Sequence, residues 1–412
     1  MRKLFRIAAR NLVRHRRRTI LTGSLIAVGI IAVVVFSAVA GAFKGMMIAQ
    51  LTDSVLGDLQ VHHRGYVASI DNLPLRLNMP ALQVAAVEKA LNAMPEIQVY
   101  SPRIKLGAMF SNYNETTGIR LNGVYPEREF AAVPLLPSRI KGGKKTIRKG
   151  EILIPDLLAQ GMKVDVGATV VVIATNKEGS VNALQLTVGG ILESAAGPSG
   201  RDAYIHIDDA RELLRLEEPE ISEIAIRLND AGRMKRAQAE LTRLLESQVT
   251  PSGMPLFEVH TWEGLSPFSS IARMIDLLAV FIKVALVAIV MISVMDVMLM
   301  AVYERVREIG TIAAIGTLPR TILSMFLIEG FSLGIFGTVV GSALSMVIVL
   351  AVRAVHPTFD FGHVRGLVLV PVVSVGDLLI VSGIVVLVSV LASLQPAFKA
   401  SRMEPVEALR HV

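Results

Sequence analysis

The sequence predicts an α-helical membrane protein with four transmembrane helices and one large α/β extracytoplasmic domain inserted between helices 1 and 2. Three observations carry this. Apolar residues make up 52% of the 412, more than a soluble chain of this length holds, and they are bunched into four stretches. Between the first two stretches, residues 41–272 have ordinary mixed composition. Eight of the first eighteen residues are Lys or Arg, which beside an apolar stretch is a topology signal.

In chain order, residues 1–18 form a basic N-terminus. Residues 19–40, TILTGSLIAVGIIAVVVFSAVA, carry no charge and at about 1.5 Å per residue can cross a hydrocarbon core of about 30 Å. A cleaved signal peptide is the rival reading, since Ala38, Val39 and Ala40 make a small-x-small site behind a basic region. A secretory apolar core spans only about 7 to 15 residues, so the length favours an uncleaved helix. The basic flank places the N-terminus in the cytoplasm. Four crossings then return residues 399–412, with Lys399, Arg402 and Arg410, to the cytoplasm, put 41–272 in the periplasm and leave 303–321 inside.

Within 41–272, PALQVAAVEKALNAMP has helical periodicity and IRLNGVYPE is a strand entering a turn. GATVVVIATNKEGSVNALQLTVGGIL contains two β-rich runs around an Asn-Lys-Glu-Gly turn, the pattern of a hairpin. DDARELLRL predicts a short amphipathic helix with an Asp start, SEIAIRLND a strand, and AGRMKRAQAELTRLLESQV a helix with one apolar face. Catalytic constellations are missing. His62 and His63 are adjacent and so diverge on regular backbone, His206 and His260 stand alone, and neither G-x-S-x-G nor H-E-x-x-H occurs. GGKKT at 142–146 lacks P-loop spacing. Cysteine is absent, which excludes disulfides, iron–sulfur clusters and thiol nucleophiles. The net charge of +7 is explained by the basic flank, so no nucleic acid is expected as a partner.

The second span is 273–302, the third 322–355 and the fourth 375–398, with a short periplasmic loop at 356–374. The third carries Gly330, Gly334, Gly337 and Gly341, whose spacing stacks small residues for close helix packing; this fits packing within the subunit and a dimer seam equally. Asp296 and Glu329 are charges at bilayer depth, and Lys283 lies nearer the outer end. The two acids fit either a proton relay or pairing with an arginine such as Arg305 or Arg320. The connection YERVREIGTIAAIG sets Glu304, Arg305, Arg307 and Glu308 on polar positions and Ile309, Ile312 and Ile315 on apolar ones. Such a segment suits docking to a soluble partner while its apolar face packs under the membrane helices.

ERVREIGTIAAIGTLPRTILSMFLIEG resembles the signature of the FtsX-like, or macrolide-exporter-type, ABC transporter permeases. PAFKASRMEPVEALR at 396–410 is similar to that family's ending, and RNLVRHRRRTILT resembles its entry into the first span. GDLQVHHRGY and TWEGLSP resemble the lipoprotein-releasing (Lol-type) branch. The resemblance covers essentially the whole chain. It implies four membrane helices, an extracytoplasmic domain between the first two, and a separate ATPase subunit dimer, carrying ATP and Mg, that grips Glu304, Arg305, Arg307, Glu308, Ile309, Gly310 and Gly316. Two features depart from the family: Asp296 stands where Asn is common, and the turn at 176–183 is short and lacks proline, so a chaperone-recruiting hook is not expected here.

The expected function is a non-enzymatic permease subunit in the bacterial inner membrane, transmitting mechanical force to extract lipoproteins or similar amphipathic cargo. Alternatives are efflux with a periplasmic adaptor and transmembrane activation of a cell-wall hydrolase. Ala42, Phe43, Met46, Met47, Ile271 and Met274 are candidate cargo contacts, being flexible apolar side chains at the outer ends of the first two spans. Further expected partners are a second copy of the chain or a related permease, and a periplasmic chaperone or adaptor. No cofactor or metal is expected on this chain.

Overall fold

The computed structural model describes residues 16–193, 201–251, 253–265, 268–361 and 364–404. The basic segment before Arg16 and the closing stretch with Arg410 lie outside the described residues, as do Ser266 and Pro267 of TWEGLSP. The chain divides into two compact units, one of Met46–Ala272 with Phe359–Leu367, the other of Met1–Gly45, Arg273–Thr358 and Val368–Val412.

The first long helix, α1 (Arg16–Leu51), ends in a π-helical turn, Thr52–Leu56. There follow β1 (Leu59–His63), α2 (Ala81–Asn92), β2 (Ile97–Ser111), β3 (Thr116–Val124), α3 (Pro126–Ala132), β4 (Ile140–Gly143), β5 (Glu151–Pro155) and α4 (Asp156–Met162). The α/β unit continues with β6 (Thr169–Thr175), β7 (Val181–Leu192), β8 (Asp202–His206), α5 (Ile207–Leu214), β9 (Glu223–Leu228), α6 (Met234–Leu245) and β10 (Phe257–Thr261). Its sheet runs β10-β1-β9-β2-β3-β8-β5-β7-β4, and β6 pairs with both β2 and β7. That double pairing closes β2, β3, β8, β5, β7 and β6 into a ring, which removes most of their exposed edges.

Alternation explains the strands: Ile104, Leu106, Ala108 and Phe110 of β2 are buried, while Gly107 and Met109 between them are exposed. The expected hairpin is present, with Thr175 opposite Val181 and Gly179 at φ +88° in the turn, a conformation that a Cβ disfavours. The helix expected to start on Asp208 is capped two residues earlier, by His206, whose Nδ1 accepts the Asp208 N–H at 3.3 Å. Helices α2 and α6 bury Val87, Leu91, Leu241 and Leu245 in the main core.

The helical unit contains most of α1 and of α7 (Phe268–Glu304), then α8 (Val306–Ala314), α9 (Pro319–Val355) and α10 (Val375–Ser401); the hairpin of β11 (Thr358–Phe361) and β12 (Val364–Val368) between α9 and α10 in the chain falls mostly in the α/β unit. Four of these helices, α1, α7, α9 and α10, are long and apolar enough to cross a membrane. Their shared core takes Ile26, Ile30 and Val34 from α1, and Val290, Val294, Met298 and Val302 from α7, each set recurring every four residues on one helix face.

The glycines of α9 pack within the chain and divide between two neighbours. A Cβ at Gly330 would stand 2.6 Å from Ser393 Cβ, and one at Gly334 2.9 Å from Ser389 Cβ, both on α10. A Cβ at Gly337 would stand 2.6 Å from Ile26 Cβ, and one at Gly341 2.9 Å from the Ala27 carbonyl oxygen, both on α1. Close backbone approach, rather than a flexible backbone, is what these positions require.

Candidate functional site

Two sites follow from this architecture, one in each unit. The first is the connection between α7 and α9. The α7 helix stops because Arg305 leaves helical geometry (φ −113°, ψ 16°), and α8 ends on Gly316 at φ +96°. Pro319, at the first turn of α9, is preset for a helix start.

Arg305 turns inward. Its side chain is 9% exposed, its Nε donates to Glu308 Oε2 at 3.1 Å, and its Nη1 lies 3.5 Å from Oε2 of Glu329, buried in α9. Ile309 and Gly310 are buried beside it, and Ala313 packs against the same core. This corrects the expected division of the segment: Ile312 is 38% and Ile315 81% exposed. The reason is helical phase, because buried 309 and 310 and half-buried 306 and 313 centre on one side of α8 and leave 312 and 315 off it. The outward surface therefore combines Glu304, Arg307 and Glu308 with Ile312 and Ile315. Tyr303 also accepts a hydrogen bond from Lys399 of α10, whose ammonium sits 4.7 Å from the ring centroid.

Glu329 is thus an arginine-paired carboxylate. Asp296 is exposed on α7 and has no ion-pair partner among the described residues, so the two acids share no site. Lys283 is half-buried. At the other end of α7, Lys44 Nζ lies 2.6 Å from Asp276 Oδ2, so α1 and α7 run side by side at the level of Phe43 and Met274. Ala42, Phe43, Met46 and Met47 are half-buried, while Ile271 and Met274 are 39% and 56% exposed.

The second site, in the α/β unit, has no counterpart in the sequence reading. His62, Glu223 and Arg103 stand opposite one another across β1, β9 and β2, and all are buried. Arg103 Nη1 donates to Glu223 Oε1 at 3.0 Å and to the Val55 carbonyl at 2.7 Å. Its Nε donates to Glu129 Oε2 at 3.0 Å, and its Nη2 lies 2.8 Å from Glu129 Oε1, off the hydrogen-bonding direction. Lys105 Nζ and His62 Nε2 approach Glu223 at 2.9 and 3.3 Å. Burial alone would raise the Glu223 carboxyl, but Lys105, His62 and Arg103 together hold it well below the carboxylate range. Burial pushes His62 down against the pull of Glu223.

This network grips the turn at the end of α1. Besides the bond from Arg103 to Val55, Arg227 pairs with Asp53 and Arg139 Nη1 reaches the Ser54 carbonyl at 3.4 Å. Three arginines from separate parts of the sheet unit thus hold three successive residues of the π-helical turn, a geometry common at functional sites. Trp262 packs against Leu56 and Leu265 beside it. The signal that could have revealed the site is a pair of cations, Arg103 and Lys105, two apart within an otherwise apolar strand.

Residues 19–244 match the MacB-like periplasmic core domain and residues 280–405 the FtsX-like permease C-terminal region. The chain is 25% identical to a probable export ATP-binding/permease protein MacB of Pseudomonas entomophila, over 99% of this chain and 59% of that one. It thus spans about three-fifths of that relative's length. It is 24% identical to the lipoprotein-releasing system transmembrane protein LolC of Haemophilus influenzae, over 90% of this chain and 92% of that one. The periplasmic region of MacB from Actinobacillus actinomycetemcomitans aligns at 14% identity and a TM-score of 0.37, covering 54% of this chain and 94% of that one.

Proposed function

The chain belongs to the FtsX-like, macrolide-exporter-type ABC transporter permeases, and from that premise we propose that it is the membrane subunit through which a separate cytoplasmic ATPase extracts lipid-anchored cargo, lipoproteins above all, from the outer leaflet of the inner membrane. The observation that carries the reading is the split of the α7–α9 connection into two faces. Glu304, Arg307 and Glu308 face outward for a partner, and Arg305 is latched inward onto Glu329. A push on α8 would reach α9 through that ion pair and α10 through Tyr303 and Lys399. In the proposed topology, with both termini cytoplasmic, the ATPase pair binds the outward face as it closes on ATP. The result is a two-state lever biased by nucleotide. Hydrolysis takes place on the ATPase, and this chain transmits the motion.

At the other end, the half-buried Phe43 and the exposed Met274, at one level of α1 and α7, offer flexible apolar side chains where acyl chains would be met. The absence of cysteine makes the test direct. Single substitutions Arg307→Cys and Met274→Cys, each carrying a photoactivatable crosslinker in native membranes, should give an adduct with an ABC ATPase at 307 and with acylated proteins at 274. No ATPase adduct at 307 removes the lever. An ATPase adduct at 307 combined with a periplasmic adaptor or hydrolase activator, and no acylated protein, keeps the lever but replaces the cargo.

A further inference from the structure

The α/β unit holds a groove of about 960 Å³, near the upper end of the range for small-molecule sites. Separate parts of the chain meet there: one face of α2, the start of α3, the loop before β5, and α5 with the His206 that caps it. The groove lies where β8 ends, at His206, and where β5 begins, at Glu151. Residues 194–200 join Glu193 and Arg201 at the opposite ends of those strands, since Pro155 is level with Leu192 and β5 runs against β8. None of the residues bordering a segment outside the described residues lines the groove.

The lining combines two chemistries. Val84 and Ala85 of α2, with Ile147 and Ile221, are apolar, and Ala85 is exposed. Arg128, Arg148, Lys149 and Arg211 bring positive charge, against Glu88 and the exposed Glu127. Two of the cations have their counter-charges outside the lining: Asp208 Oδ1 accepts from Arg211 Nη1 at 3.0 Å, and Glu212 lies 3.8 Å from Lys149 Nζ. Glu88 stands 3.6 Å from Arg128. The exposed Arg148 guanidinium meets no carboxylate within ion-pair distance among the described residues.

Several of these donors are fixed in advance. Arg128 and Arg211 stack on Tyr125, their guanidinium carbons 5.8 and 5.7 Å from the ring centroid, and Arg211 Nη2 donates to Tyr125 Oη at 3.1 Å. Arg211 still holds N–H groups in reserve, because its guanidinium has five and these bonds to Asp208 and Tyr125 use one on each Nη. His206 meets Tyr125 edge to face. Its Nδ1 accepts the Asp208 N–H, so the neutral ring carries its proton on Nε2, a further donor.

We propose that this groove is a binding site for a small molecule with an anionic head, phosphate or carboxylate, and an apolar body. Arg148, Lys149 and Arg211 would take the head, and the body would lie along Val84, Ala85 and Ile221. Guanidinium groups match the oxygens of such heads in a planar fork, and the apolar contact adds the selectivity that charge alone lacks. The lining is made of helix faces and loops, with no run of strand for an extended peptide to pair with. The inference is independent of the ATPase lever, because every residue in it belongs to the α/β unit.

The test is calorimetry on the full chain in nanodiscs, with empty nanodiscs subtracted. The probes are 1-naphthyl phosphate, 1-naphthoate, inorganic phosphate and 1-naphthylmethylamine. One or both naphthyl acids should bind at least about tenfold more tightly than inorganic phosphate and than the amine; the tighter acid identifies the head. Binding should slow amide hydrogen exchange in residues 146–151 and 206–211. Arg148→Glu and Ala85→Glu, both at exposed positions, put a carboxylate at the groove and should each weaken the tighter acid at least about fivefold. Amine or inorganic phosphate binding as tightly as both acids, or unchanged affinity in both variants, would overturn the proposal.

Discussion

Replacing Arg103 with methionine should nearly unfold the α/β unit, and the size of the effect follows from what the guanidinium holds. Arg103 is 2% exposed and pairs with two carboxylates that are fully buried. Glu223 would keep Lys105 and His62. Glu129 would keep no cation within ion-pair distance among the described residues, and stranding one buried charge costs about 3 to 5 kcal/mol. The Val55 carbonyl would lose its donor as well, adding roughly 1 kcal/mol or more. A loss of about 4 to 6 kcal/mol is comparable with the whole stability of a typical domain, about 5 to 15 kcal/mol. Removing both charges, in Arg103→Met with Glu129→Leu, should restore at least about 2 kcal/mol, because nothing charged is then stranded. The assay is denaturant unfolding of the full chain in nanodiscs, followed by fluorescence of the single tryptophan. Trp262 is 7% exposed beside the gripped turn, so its signal reports on this region. A cost below about 1 kcal/mol for the single substitution, or a double variant no more stable than the single one, would refute the reasoning.

Acid should weaken the same unit. The unfolded chain takes up a proton at His62 below about pH 6.5, whereas buried His62 resists protonation, so stability present above that pH falls as pH drops, by up to about 1.4 kcal/mol per unit. His62→Gln keeps a donor toward Glu223 and should flatten the pH 6.5 to 5 part of a melting-temperature profile. The Glu223 contribution would remain, being lost only as pH falls through its lowered folded value. On the proposed lever, Glu304→Ala with Glu308→Ala should abolish co-purification of an ATPase while membrane insertion persists; normal co-purification would remove the docking face. Gly337→Val places a Cβ 2.6 Å from Ile26 Cβ, so α1 and α9 must part, at about 1 to 3 kcal/mol, seen as earlier thermal aggregation in detergent. Phe43→Asp should lower lipoprotein release from membranes at normal expression; unchanged release would reject that contact.

The parts legible in the sequence are those governed by local pattern. The four apolar stretches, the 176–183 hairpin and the helices around 81–92 and 234–245 follow from periodicity and turn residues, and each has its counterpart in the structure. The network at the end of α1 was not legible, because it depends on sheet order. His62 and Glu223 lie 161 positions apart and meet only because β9 falls between β1 and β2. Arg305 shows a subtler limit. Both an outward docking role and pairing with a buried acid were open for it in the sequence, and the break in the helix at that residue decides for Glu329. The α9 glycines were legible as a packing face, but their division between α10 and α1 is a property of three helices together.

The sheet order also has a consequence for biosynthesis. Among the described residues β1 pairs with β9 and β10, the last two strands of the large sheet to be made. At a translation rate of about 5 to 20 residues per second, the 161 positions between His62 and Glu223 take roughly 8 to 30 s to emerge. During that interval the ring of β2 to β8 can close, but β1, tethered to an already inserted helix, has neither neighbour. Nascent chains stalled between β8 and β9 should therefore leave the segment around Val61 open to protease, and the grip of Arg227 on Asp53 can form only after β9 has left the ribosome.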